Sequence, residues 1–203
     1  MALAPKAPEE RRRRILSATV EVLRERGFTG TRVADIADAA GTSSGLVLYH
    51  FKSLEGALSQ ALTTVEDEFY ADLEAELGAS AGPAARLRRM AEMGAGAGPA
   101  VGDWGLWLEI WVRALRDPGA RTTREQLDRR WRGWLRDVVD EGVAAGVFST
   151  DHPQDVTARL AALMDGLAIQ LALDDPDMST DRFVRLWLQA AELELGTQLL
   201  PPG

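Results

Sequence analysis

Apolar residues recur along this chain at intervals of three and four, the spacing of one helix face, and nowhere alternate convincingly with period two. Residues 9–26 carry the stripe Ile15, Leu16, Thr19, Val22 and Leu23, and Gly27 supplies a helix stop. Thr31 reads as the N-cap of a short helix over 32–40, with Val33, Ile36, Ala37 and Ala40 on one face and Gly41 at its end. A second short helix is predicted over 43–50, and Ser53 caps a long one over 54–77. Breakers cluster in "GASAGP" at 78–83 and "GAGAGPAVG" at 94–102, with a helix between them. Further helices are expected at 103–117, 120–145, 153–174 and 180–197. Before the third of these, Asp151 reads as N-cap, with Gln154 in capping-box position and Pro153 in the first turn. The expected architecture is all-α, with about nine helices. It divides into an N-terminal arm and small domain over 1–55 and a larger helical domain over 56–203.

The run "GTSSGLVLYHF" from Gly41 to Phe51 is small and polar at first, apolar in the middle and aromatic at its end. Two short helices meeting at a turn that begins with glycine form a helix-turn-helix. In such a unit the second helix presents its N-terminal side chains to base edges in the major groove. Thr42 and Ser43 are good N-caps for it, and the small Ser43, Ser44 and Gly45 allow close approach to DNA. Tyr49 and His50 can donate to phosphate oxygens and Lys52 adds a charge there. Val47 and Phe51 are expected to face inward, onto the helix of residues 15–23. A helical corner without nucleic acid is the alternative reading of the segment taken alone.

The longer run "RRRRILSATVEVLRERGFTGTRVADIADAAGTSSGLVLYHFKSLEGAL" resembles the DNA-binding domain of the TetR family of bacterial transcriptional regulators over residues 10–58. The motifs are a helix ending in "RGF", a Thr-initiated helix containing "IADAAG", and "LYHFKS" leading into a long helix. The resemblance implies three N-terminal helices with a helix-turn-helix, plus a helical domain that binds a ligand and dimerises. It also implies roles: Thr31 and Arg32 at phosphate, Ser43, Ser44, Leu46 and Tyr49 on the recognition helix, His50 and Lys52 after it. Leu48 and Leu54 depart from the family pattern, standing where many members carry a tyrosine and a lysine that touch the DNA backbone. The C-terminal half, through "WLRDVVDEGVAAGVFSTDHP" and "LAALMDGLAIQLAL", is more loosely similar to the family's BetI-type subset. That likeness specifies no ligand.

All six tryptophans lie beyond residue 100. Trp104, Trp107 and Trp111 share a helix face, as do Trp131 and Trp134. Facing aromatic helices can line a mostly apolar cavity, although such stripes also serve as plain packing. Asp103, Glu109, Arg113, Asp165 and Gln170 are polar candidates, and carboxylates among tryptophans suit a cationic ligand. The last two helices carry more apolar faces than one core needs. Leu160, Leu163 and Leu167 with Val184, Leu188, Ala191 and Leu195 are expected to form a two-fold dimer interface, unless a thick protomer buries them itself.

The charge balance adds one contrast. The chain carries a net −8, but residues 1–60 hold nine Lys/Arg against seven Asp/Glu and residues 61–203 fourteen against twenty-four. A slightly basic head on an acidic body suits contact with a polyanion through the head. There is no cysteine, and the two histidines, His50 and His152, form no metal pair. No phosphate-binding loop is visible, and "EDE" at 66–68 and "DDPD" at 174–177 read as solvated or turn-forming. An enzyme and a ligand-independent architectural DNA-binding protein are the alternatives. No cofactor is implied. Without a membrane-length apolar run or an apolar stretch after "MALAPKAPEERRRR", the cytoplasm is the expected compartment.

Overall fold

The computed structural model describes residues 6–77, 82–96 and 104–200. Asp103 and most of the "GASAGP" and "GAGAGPAVG" segments lie outside the described residues. Within them the chain forms nine helices: α1 (Lys6–Gly30), α2 (Val33–Ala39), α3 (Ser44–Phe51), α4 (Leu54–Leu77), α5 (Pro83–Gly94), α6 (Trp104–Ala114), α7 (Pro118–Ala144), α8 (Pro153–Ala172) and α9 (Thr180–Leu195).

The chain makes two compact units. The first comprises residues 1–67 and 105–124. Its small core places Ile15 and Ala18 of α1 against Ile36 and Ala37 of α2, Val47 and Phe51 of α3, and Ala57 of α4. Val47 and Phe51 face inward as their spacing predicts. The second unit comprises residues 68–104 and 125–203. Its core joins Leu87 and Met90 of α5, Leu135 and Val138 of α7, Leu160 and Met164 of α8, and Phe183 and Trp187 of α9. Trp187 is fully buried, and its indole N–H donates to the Leu160 carbonyl at 2.9 Å, so the one polar atom of a large apolar group is satisfied.

The spacing of Gly142, Gly146 and Phe148 in "GVAAGVF" has a structural cause. The phenyl ring of Phe148 packs where a side chain on Gly142 would stand. Gly146, at φ 70°, turns the chain back, so that the Val147 and Phe148 N–H groups both reach the Gly142 carbonyl.

Three end assignments differ from the sequence reading. Gly27 does not stop α1; it bends it, at φ 65° and ψ −180°, and helical structure continues to Gly30. Arg32, not Thr31, occupies the N-cap of α2, and its backbone N–H donates to Asp35 at 3.0 Å. His152, not Asp151, precedes α8, and no side chain caps that helix. Ser53 does cap α4, accepting the Gly56 N–H at 3.0 Å.

Candidate nucleic-acid interface

The turn between α2 and α3 follows from one residue. Gly41 adopts φ 59°, and no atom lies within 4 Å of where its side chain would be. Its N–H bonds Asp38 O, and the Thr42 N–H bonds Ala37 O, the paired hydrogen bonds that close a helix C-terminus around a left-handed residue. Ser43 then caps α3, its hydroxyl accepting the Leu46 N–H at 3.3 Å. Ser43, Ser44 and Gly45 are exposed, and Leu46 is half-buried against the head core. One side of α3 is therefore consumed by packing and the other is free.

At the far end of α3, Tyr49 is 70% exposed. His50 sits edge-on to it, with ring centroids 5.3 Å apart. Lys52 stands at φ 68°, unusual for a residue with a side chain, and its ammonium bonds the Tyr49 carbonyl at 3.2 Å and lies 5.6 Å from the Tyr49 ring centre. Three groups able to donate to phosphate thus sit together on one exposed edge. Arg32 is also exposed. Thr31 is not available. It is 3% exposed and its hydroxyl donates to the Gly27 carbonyl at 2.7 Å, so the role assigned to it at phosphate is withdrawn.

The family profile described as bacterial regulatory proteins, tetR family, matches residues 15–58, and that of the BetI-type transcriptional repressor C-terminal domain matches residues 83–196. The chain belongs to the TetR family. This TetR-family regulator is 27% identical over 184 residues to the HTH-type transcriptional regulator BetI of Paraburkholderia phymatum, covering 88% of this chain and 89% of that protein. Among solved structures it resembles a putative transcriptional regulator from Saccharomonospora viridis in complex with choline. That match has a TM-score of 0.79 and 29% identity, and covers 92% of this chain and 98% of that one. A putative TetR-family regulator from a Rhodococcus species matches with the same TM-score of 0.79 and 29% identity, over 92% and 99% of the two chains. The alternating packed and exposed sides of α3 are thus those of a DNA-binding transcriptional regulator.

In this TetR-family chain the tryptophans expected in one pocket divide between the units. Trp104, Trp131 and Trp134 pack partly buried against the core of the second unit, and Trp104 donates to the Gly94 carbonyl at 2.9 Å. Trp107 and Trp111 are half-buried in the first, where the buried Trp111 N–H finds no acceptor among the described residues. Tyr70, buried on α4, meets Trp134 with centroids 6.2 Å apart. The Arg86 guanidinium lies over Trp134 and that of Arg130 over Tyr70. Gln170 is exposed.

Two polar residues expected at a ligand are committed elsewhere. The Glu109 carboxylate accepts the Phe28 N–H at 2.5 Å, and Arg113 pairs with Glu55 while lying 5.2 Å from the Phe28 ring centre. Glu66, read as solvated, is buried.

The expected dimer stripe also needs correction. Leu160, Leu167, Leu188, Ala191 and Leu195 are buried in the core of their own unit, and only Leu163 and Val184 are half-buried. The apolar surface left outward is largely a different one, sharing Leu163 with that stripe. It comprises Ala158, Ala162, Leu163, Gly166, Ile169 and Leu173 on and just after α8, and Leu186, Ala190 and Leu193 on α9, where Leu193 is 87% exposed. Among the described residues no helix is long and apolar enough to cross a membrane.

Proposed function

We propose that this regulator is an effector-released repressor that binds a near-palindromic operator as a homodimer. The observation that carries the reading is the edge formed by Tyr49, His50 and Lys52 on a helix whose opposite side, Val47 and Phe51, is buried. Ser43, Ser44 and Gly45 approach base edges in the major groove, and the free side of Leu46 offers apolar surface to a thymine methyl. Tyr49, His50, Lys52, Arg32 and Thr42 hold phosphates.

Dimerisation is proposed through the outward faces of α8 and α9. Ala158, Ala162 and Gly166 recur at intervals of four, which lets a second helix approach closely, and no atom lies within 4 Å of where a side chain on Gly166 would stand. A two-fold axis there makes the contact self-complementary and duplicates the recognition helix, as a palindromic operator requires.

The effector is inferred to be a small quaternary-ammonium cation bound by the second unit, with Trp104, Trp131, Trp134 and Tyr70 as the aromatic surface. Supporting this, the relative from Saccharomonospora viridis was solved with choline. Arg86 and Arg130 already lie over two of these rings, so the cation must use the remaining faces or displace a guanidinium. An effector releases DNA only if it binds the non-binding arrangement more tightly. The chain path gives such a preference a route to the head, since α4 and α7 each run from one unit into the other.

The experiment is selection of fragments from a random DNA pool by the purified protein, with and without choline. An enriched inverted repeat that choline depletes supports the reading. Fragments without a shared motif contradict it.

A further inference from the structure

The helix-turn-helix of this protein is electrically neutral. Residues 31–53 contain two cations, Arg32 and Lys52, and two anions, Asp35 and Asp38. Phosphate neutralisation supplies most of the sequence-independent affinity for duplex DNA, and two cations offset by two anions supply little of it. Leu48 and Leu54 add no charge at the exposed end of α3 or the start of α4.

Four consecutive arginines, Arg11 to Arg14, stand in the first turns of α1, and all four are exposed. Arg12 shows where they lie. Its guanidinium stacks over the Phe51 ring, 5.5 Å from the centroid, and hydrogen-bonds Gln60 on α4. Phe51 is the last residue of α3, between His50 and Lys52. The arginine-rich start of α1 therefore adjoins the end of the recognition helix that carries Tyr49, His50 and Lys52. Glu9 and Glu10 precede the run at helical pairing distance from Arg13 and Arg14, yet no ion pair engages Arg11, Arg13 or Arg14 among the described residues. Among the described residues their charges are uncommitted.

We propose that Arg11, Arg13 and Arg14, fanned around the first turns of α1, form a phosphate-binding strip beside the Tyr49–Lys52 edge and supply electrostatic affinity beyond that of Arg32 and Lys52, while Arg12 holds the start of α1 against α3. This rests on the reading of α3 as the DNA-recognition helix. The strip carries no base preference. It sets how tightly any duplex is held, and the N-terminal side chains of α3 set which sequence is preferred.

The test compares wild type, the triple variant Arg11→Gln/Arg13→Gln/Arg14→Gln, and a control with the same charge change on the second unit, Arg132→Gln/Arg182→Gln/Arg185→Gln. Glutamine preserves helix propensity, and circular dichroism checks the fold. Affinity for a mixed-sequence duplex and for a fragment selected from the random pool is measured across a salt series. Each lost phosphate contact flattens the log–log salt dependence by about 0.9. The expected result is a slope shallower by about 2–3 per protomer for the α1 variant on both duplexes, affinity down at least about tenfold, an unchanged order of sequence preference, and a control like wild type. Equal slopes for wild type and the α1 variant overturn the strip. Equal losses in both variants reduce it to a net-charge effect and overturn it too. Wild-type protein that retains no duplex at low salt would instead sink the underlying DNA reading.

Discussion

The carboxylate of Glu109 on α6 accepts the backbone N–H of Phe28 at 2.5 Å, just after α1 bends at Gly27. The bend breaks the helical hydrogen-bond ladder, and Glu109 supplies an acceptor that a continuous helix would have found in its own backbone. Arg113, one turn further along α6, pairs with Glu55 at the start of α4. Glu109→Ala should lower stability by about 1–3 kcal/mol, because a partly buried N–H loses its acceptor. Glu109→Gln, which keeps an acceptor oxygen, should lose less. Urea denaturation midpoints decide it, and an alanine variant as stable as wild type would show that the contact contributes nothing.

The two head glycines at positive φ, Gly27 and Gly41, should respond differently to alanine. Gly41 has open space around it, so Gly41→Ala meets only the cost of a left-handed backbone, about 1 kcal/mol. A side chain at Gly27 meets the Glu109 carboxylate as well as an unfavourable backbone, so Gly27→Ala should be the more damaging. Thermal unfolding of the pair tests the order, and equal losses would contradict the Glu109 contact.

Lys52 should show a conflict between stability and binding. It holds φ 68° with a side chain that would be more at ease elsewhere. Lys52→Gly should stabilise the head by up to about 1 kcal/mol while weakening DNA binding, because glycine relieves the backbone and removes the cation. A loss of stability together with unchanged binding would reverse both halves of the argument.

Much of this was readable in the chain. The helices and the inward turn of Val47 and Phe51 follow from periodicity, and Ser53 and Gly41 from end chemistry. What was not readable depends on residues far apart in sequence. Glu109 looked like a ligand group because nothing local shows that Phe28, some eighty residues earlier, needs an acceptor. Leu160 and Leu188 looked surplus because spacing gives a face but not what covers it, and α5 and α7 complete the core around them. Thr31 has the composition of a cap, but the bend at Gly27 turns its hydroxyl onto that residue's carbonyl.

Gly166→Arg tests the revised dimer face. The site is open within the protomer, and arginine favours a helix more than glycine does, so the fold should hold. Light scattering should give the mass of a dimer for wild type and of a monomer for the variant. A variant that remains dimeric would exclude this face.

Acid should weaken one contact between α8 and α9. Arg159 donates two hydrogen bonds to Glu194, at 2.5 and 2.6 Å, and this holds the Glu194 carboxyl below its usual value of 4.5. The pair's contribution is present above that usual value and is lost as pH falls through the lowered folded one. Arg159 is exposed and Glu194 partly so, so the effect is small. The stability difference between wild type and Glu194→Gln should shrink in acid. A difference constant from neutral to acid pH would contradict the assignment.

The most direct test of the account is fluorescence anisotropy of a labelled duplex from the random-pool selection, titrated at low salt with wild type and with Tyr49→Ala/Lys52→Ala. Both side chains are exposed, and circular dichroism should show the same helical content for the two proteins. The account predicts saturable binding by wild type and a loss of at least about tenfold in the variant. Equal binding by a folded variant would contradict it.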